Sequence, residues 1–358
     1  MATPTTTFPF QSMTSTVSQT ASATASCITA TPGKHGYVPP EACNAQWNYD
    51  PSFGAAIAFA ILFGITATIN VVQAFYYKKM KLCWPLLMGA LWEFASFVLR
   101  APGTLNQQNS VFPYSSSVLV LLAPMWINAF LYMVMGRMIY FFVPEQNILG
   151  VKAIKIAKIF VWLDVASFIT QVAGGTMISP GSSNMMLGIH IYMGGIGFQE
   201  ICIIGFMSIA IKFHLKMLEE GRNRKLDDRP RNWQPLMYVM YVCLVLITIR
   251  IIFRLVEFAA GMDPTKNPIP FHEAYFLVLD CVPMLICCLL VNCVHPGRIL
   301  VGENSEFPKS ISRKEKASQK LLAKEERRTA RYGSPSPPPL PRRPSNTAYA
   351  PYGGYEMV

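Results

Sequence analysis

Residues 53–76 read FGAAIAFAILFGITATINVVQAFY, an apolar run of 24 residues without one Asp, Glu, Lys or Arg. A helix rising about 1.5 Å per residue crosses the ~30 Å hydrocarbon core of a bilayer in roughly 20 residues, so this run is long enough to span. Six more apolar windows follow near residues 83–100, 117–142, 159–178, 187–211, 235–259 and 273–294. They are continuous rather than alternating, which favours helices over a barrel, and a spanning helix satisfies its own backbone hydrogen bonds. The expected fold class is therefore all-α: a polytopic membrane protein with seven transmembrane helices. Pro124 and Pro283 fall inside two windows, where neighbouring helices tolerate a kink. The window at 83–100 is the shortest and carries two charges, so its limits are the least defined.

Composition supports this architecture. A chain that is 52% hydrophobic and 14% charged has too few charges for an ordinary water-facing surface. The net charge of +11 is not a nucleic-acid signature, because the cations are confined to short stretches between the apolar runs. Those stretches set the orientation. Lys78, Lys79 and Lys81 follow the first window; Lys152, Lys155 and Lys158 follow the third; seven more cations follow the fifth and twelve lie in the C-terminal tail. That places 25 of the 31 Lys and Arg on one side, against Lys34 and Lys266 on the other. The N-terminus is expected outside and the C-terminus in the cytosol.

Three regions follow. Residues 1–52 form an extracellular Ser/Thr-rich tail, expected to be disordered because it has little apolar surface to bury; its composition also fits an O-glycosylated stalk. No secretory signal peptide is apparent there. Residues 53–297 are the seven-helix domain. Residues 298–358 are a basic, then Pro-rich, cytosolic tail. The basic part, 309–331, reads either as a helix along an anionic leaflet or as a solvated charge run that enforces topology. In SPSPPPLPRRP (334–344), Pro338, Pro341 and Arg343 match the PxxPxR pattern of SH3-type docking. The terminal Tyr355–Val358 fits a sorting signal, so SH3 or sorting adaptors are the expected tail partners. Seven of nine cysteines lie in or beside apolar windows, where Cys acts as a small hydrophobe, while Cys27 and Cys43 are placed to pair if their tail is extracellular. No zinc-type spacing occurs, and His190 and His272 read as solvated loop-edge residues, so no metal is expected.

The chemistry is carried by ionisable residues inside the windows: Glu93, Arg100, Arg137, Asp164, Glu200, Arg250, Arg254, Glu257 and Asp280. A charge facing lipid at the bilayer centre costs about 2.5–3.5 kcal/mol on insertion scales. Nine of them would exceed the roughly 5–15 kcal/mol stability of a typical protein, so they must face one another or a wet cavity. Glu93 and Arg100 are two helical turns apart on one face, and Arg250, Arg254 and Glu257 form a single i, i+4, i+7 stripe. Arg100, Arg250, Arg254, Glu257 and Asp280 fall in the outer half, and Glu93 and Glu200 near the midplane. Arg137 and Asp164, near the cytosolic third on consecutive helices, are expected to form a structural ion pair. The pattern implies a polar substrate cavity opening outward above an ion-pair latch, although buried pairs also serve only to fix helix register.

The blocks LWEFASFVLR (91–100), LAPMWINAFLYMVMGR (122–137), FVWLDVASFITQVAGG (160–175), IRIIFRLVEFAAG (249–261) and HEAYFLVLDCVPM (272–284), followed by HPGR (295–298), together resemble the fungal lipid-translocating exporter family. That family includes the sphingoid long-chain base exporter and proteins of aminocholesterol and molasses resistance. The resemblance runs from about residue 50 to 300. It marks Glu93 and Arg100, Pro124, Tyr132, Gly136 and Arg137, Asp164 and Gln171, Arg254 and Glu257, and adds Glu273 beside Asp280 to the site. Ser96-Phe97 and Phe276 depart from the Gly-Tyr and Tyr common in the family, which bears on substrate more than on fold.

The resemblance implies a plasma-membrane transporter or exporter of amphipathic, sphingoid-base-like lipids or related toxic compounds that contributes to resistance. Its partners would be membrane lipids or amphipathic small molecules. The alternative is a seven-helix receptor or lipid-stress sensor. No nucleic acid, no cofactor and no enzymatic activity are expected. The chain has no Gly-x-x-x-x-Gly-Lys-Ser/Thr loop for ATP, and an intramembrane lipid hydrolase would need a His/Asp zinc set that is not evident.

Overall fold

Each apolar run becomes one long helix, with its ends set by local chemistry. The computed structural model describes residues 29–39, 42, 44–178, 184–223, 233–259, 267–301, 318, 321–324 and 326–328. Helix α1 spans Phe53–Tyr76 and is capped by Ser52, whose hydroxyl accepts from Ala55 N–H at 3.3 Å. It is followed by α2 (Met80–Leu105), α3 (Val111–Phe142), α4 (Ala153–Met177), α5 (Met185–Asn223) and α6 (Trp233–Ala259). The seventh helix, α7, opens with an α-helical turn at Glu273–Phe276. It widens to a π-helical turn at Leu277–Cys281 and continues as α-helix over Val282–Cys293. Seven helices among the described residues are long and apolar enough to cross a membrane.

The helices pack in chain order, and α7 closes the ring against α1. The seam between α1 and α7 is tied by Gln73 Nε2 donating to Asn292 C=O at 2.9 Å. Helix α3 is the most buried and also touches α5 and α6. The outside is apolar: Trp162 is 72% exposed and Ile201 67%, a distribution that suits lipid and would aggregate in water. Between α3 and α4, Asn147–Ile148 pairs with Val151–Lys152 around a two-residue turn. Both turn residues have positive φ, Leu149 at 53° and Gly150 at 74°, as a tight hairpin turn of this kind requires.

Helices α4 and α5 approach most closely through glycine. A Cβ on Gly174 would lie 2.4 Å from Tyr192 N, and one on Gly195 would lie 2.9 Å from Gln171 Cγ. The π turn of α7 is explained by Pro283 just beyond it. Proline lacks the N–H that would close an α-helical turn, and the helix adjusts by letting Val282 N–H reach Leu277 C=O. That widening turns Asp280 toward α6.

The limits differ from the sequence windows in an informative way. Helix α5 runs to Asn223, twelve residues beyond the apolar window, as a polar helix rich in Lys and Glu that hydropathy does not detect. Helix α2 extends to Leu105 because Gly103 and Thr104, though weakly apolar, are buried. The N-terminal segment is not wholly a disordered tail: in its second half Val38 is 5% exposed and Trp47 9%, and Asn44 exchanges two hydrogen bonds with the backbone of Ala30. Pro308–Val358 is a separate unit, in which Ser318, residues 321–324 and residues 326–328 are helical and exposed. Cys27, Cys43, Pro338, Pro341, Arg343 and the terminal Tyr355–Val358 lie outside the described residues.

Candidate functional site

The α6 stripe forms as its spacing predicts, with Arg250, Arg254 and Glu257 on one face, and α7 supplies their counterpart. Asp280 is fully buried, with one carboxylate oxygen against Arg250 and the other against Arg254. Arg254 also donates through Nη1 to Glu257 at 2.9 Å. A second pair joins α2 to α7. Arg100 donates through Nη2 to Glu273 at 2.9 Å and to the Tyr49 hydroxyl at 2.7 Å. The other Glu273 oxygen accepts from Ser52 N–H at 2.8 Å, so one carboxylate anchors both the start of α1 and the end of α2. Glu273 also occupies the first turn of α7, where the helix dipole favours an anion.

Aromatic rings wrap these charges. The Arg100 guanidinium lies 4.9 Å from the centre of the Trp47 ring and 4.8 Å from that of Phe276. Phe276 also sits 5.6 Å from the Arg254 guanidinium, so one ring separates the two ion-pair groups. Burial pushes the Tyr49 phenol above its ordinary pKa, against the opposing pull of Arg100, and the ring stays neutral as an acceptor for the guanidinium.

A cavity of about 330 Å³ opens beside this arrangement. Arg100, Arg254 and Glu257 give its charged wall, Trp47, Tyr49 and Phe276 an aromatic one, and Gln171 and Tyr192 the side toward α4 and α5. Gln171 donates to Ser167 Oγ and to Gln199 Oε1, both at 2.9 Å, which fixes its amide.

Of the residues expected from sequence, Arg100, Arg254 and Glu257 line the cavity, while Arg250, Glu273 and Asp280 stand behind them as partners. Glu93 is deeper, fully buried, with no hydrogen-bond partner on either oxygen. Glu200 is not among the residues that line the cavity. It is half-buried and bonds to Thr248, two residues before Arg250 and so on the opposite face of α6.

The expected Arg137–Asp164 pair is corrected. Asp164 accepts instead from Asn128 Nδ2 at 3.1 Å and from the Tyr132 hydroxyl at 3.0 Å. Asn128 and Tyr132 are one turn apart on the α3 face that meets α4. Arg137 lies five residues further on, about 7.5 Å along the axis and rotated away from that face. Sequence reasoning also missed Trp47 and Tyr49. The signal was present as an aromatic pair just ahead of the first helix, where interfacial Trp and Tyr concentrate. His190 and His272 are exposed.

Residues 86–303 match the family described as RTA1 like protein. The chain belongs to the RTA1-like family. It is 41% identical over 309 residues to the probable lipid transporter atnI of Emericella nidulans, covering 84% of this chain and 80% of that protein. It is 29% identical to protoporphyrin uptake protein 1 of Saccharomyces cerevisiae, over 67% of this chain and 88% of the relative. The sphingoid long-chain base transporter RSB1 of the same yeast is 20% identical over 72% of this chain and 75% of its own length. No solved structure matches. The family match takes in most of α2 and all of α3 to α7, and therefore every charged residue of the site. In this RTA1-like protein Trp47 and Tyr49 precede the matched span, so part of the cavity wall is built by residues outside it.

Proposed function

We propose that this protein moves amphipathic lipids across the membrane it spans, binding the headgroup in the cavity between α2, α6 and α7. The observation that carries this is the cavity wall itself, in which an ion-paired carboxylate, Glu257, and aromatic faces meet in an apolar bundle. Glu257 and the rings suit the ammonium of a sphingoid-base-like lipid, and the Gln171 and Tyr192 side suits its hydroxyls. At about 330 Å³ the cavity is at the small end of the roughly 300–1,000 Å³ that encloses a drug-sized ligand. It holds a headgroup and leaves the tail in the bilayer. The Lys/Arg distribution supports a cavity facing away from the cytosol, with the N-terminus outside; the plasma membrane as its location rests on the family resemblance alone. Adaptor docking at Pro338, Pro341 and Arg343 is supported by the sequence alone.

The buried Cys–His contact does not supply an activated nucleophile. Cys83 Sγ lies 3.3 Å from His295 Nε2, a pairing that resembles an activated thiol. However, His295 Nδ1 accepts from Gly297 N–H at 3.0 Å. The ring hydrogen of neutral His295 therefore sits on Nε2 and faces the sulfur, so the imidazole cannot take the thiol proton.

The test is transbilayer movement of a labelled sphingoid base in liposomes holding the purified protein. Movement above protein-free liposomes is expected, with loss of most of it in E257Q at unchanged protein incorporation. A wild-type rate equal to that of empty liposomes overturns the proposal.

A further inference from the structure

The ion pairs around the cavity balance: Arg100, Arg250 and Arg254 face Glu273, Asp280 and Glu257. Among the described residues, Glu93 is a fourth carboxyl with no ion-pair partner. Its side chain is fully buried, and neither oxygen has a hydrogen-bond partner. No protein donor reaches it, which makes a bare carboxylate there far more costly than a carboxylic acid. Yet Glu93 lies within electrostatic reach of Asp280, Arg250 and Arg254.

The groups around it are few. Helix α6 offers Arg250 and Arg254; α7 offers Asp280, Cys281 and Cys288. Helix α1 carries no Asp, Glu, Lys, Arg, His or Cys at all. On α3 the one charged residue is Arg137, about two and a half turns beyond Asn128, and it is not among the charges acting on Glu93. On α2 itself Arg100 is held by Glu273 and Tyr49.

We propose that Glu93 is a proton-binding site that exchanges one proton for each cationic amphiphile entering the cavity. This rests on the transport reading above. The exchange uses groups within electrostatic reach of one another. An ammonium that pairs with Glu257 displaces Arg254 from it. Arg254, still beside Asp280, turns its freed donor to Glu93. The Glu93 O–H bond breaks, the electron pair stays on the oxygen, and the proton is released to solvent. One positive charge enters and one leaves, so the buried site keeps its net charge throughout. The transporter is then a lipid–proton antiporter, with a proton gradient as its energy source.

The probe is dodecyltrimethylammonium, a quaternary amphiphile that carries no proton of its own. Added to the full-length protein in weakly buffered detergent solution, it is expected to release about one proton per bound cation, as linkage between the two ligands requires. Glu93→Gln is expected to release none, and Glu93→Asp, which keeps the carboxyl, to release protons again. Infrared difference spectra supply an independent arm, in which the carbonyl stretch of a protonated carboxyl disappears on addition of the cation and is absent from E93Q. Cation binding without proton release in the wild type, or equal release from E93Q, overturns the proposal. So does a resting spectrum without that band. Failure of the transport reading looks different: no sphingoid-base movement in liposomes while the infrared band and its loss persist.

Discussion

Asp164 and Asp280 are both buried aspartates on membrane-spanning helices, and the fold satisfies them in opposite ways. Asp280 receives two guanidiniums from α6, while Asp164 receives an amide and a phenol from α3. The first solution sits behind a cavity, where charged partners can trade places. The second faces α3 directly, where an amide and a phenol one turn apart occupy one carboxylate oxygen. Buried acidity therefore does not by itself mark a working site. What distinguishes the two is whether the partner carries charge and has somewhere to move.

The largest expected difference between them is in stability. D280N leaves two guanidiniums without their shared carboxylate, and breaking a buried pair costs about 3–5 kcal/mol. D164N keeps an oxygen that accepts from the same donors, and trading a charged for a neutral hydrogen bond costs about 1 kcal/mol. Thermal melting in detergent and the yield of membrane-inserted protein should rank them in that order. Equal losses would mean that Asp164 also depends on a full charge.

The glycine-tight seam between α4 and α5 gives the next effect. G174A forces a methyl group into the Tyr192 backbone and is expected to cost about 1–3 kcal/mol, the usual penalty of overpacking. G194A, where a Cβ meets nothing within 4 Å, should stabilise α5 by up to about 1 kcal/mol through helix propensity. Melting temperatures that move the same way for both would remove the seam from the argument.

A last contrast, ending on the smallest effect, separates a buried ion contact from an exposed one. Y49F removes a hydrogen bond to a charged group and should cost about 1.5–3 kcal/mol. E145Q breaks the exposed Lys216–Glu145 pair, at 2.7 Å, and should cost about 0–1 kcal/mol. Chemical denaturation of the purified variants side by side checks the contrast. Because burial keeps the Tyr49 phenol neutral, the Y49F effect should not change between mildly acidic and mildly alkaline buffer.

The seven helices were legible because insertion into hydrocarbon selects long apolar runs whatever their neighbours do. The α6 stripe was legible for a similar reason, since the spacing of Arg250, Arg254 and Glu257 is fixed by helix geometry alone. Two other assignments failed where depth had to be combined with rotation. Arg137 and Asp164 share a helical neighbourhood in sequence, but Asn128 and Tyr132 occupy the face that meets α4. Glu200 was placed in the cavity by its depth, yet its face of α5 bonds to Thr248 instead.

Sequence by itself determined which residues leave water: a charge-free run of 24 residues is driven into an apolar phase one segment at a time, and each segment closes its own backbone hydrogen bonds. It also determined that the charges in those segments must find partners, because lipid offers none. Only the tertiary structure decided which partners they took. The π turn before Pro283 rotates Asp280 onto two arginines, and the Trp47–Tyr49 segment folds back over Arg100. Glu93 is left with no hydrogen-bond partner. Those choices depend on how seven helices rotate against one another, and rotation is set by side-chain packing between segments far apart in the chain.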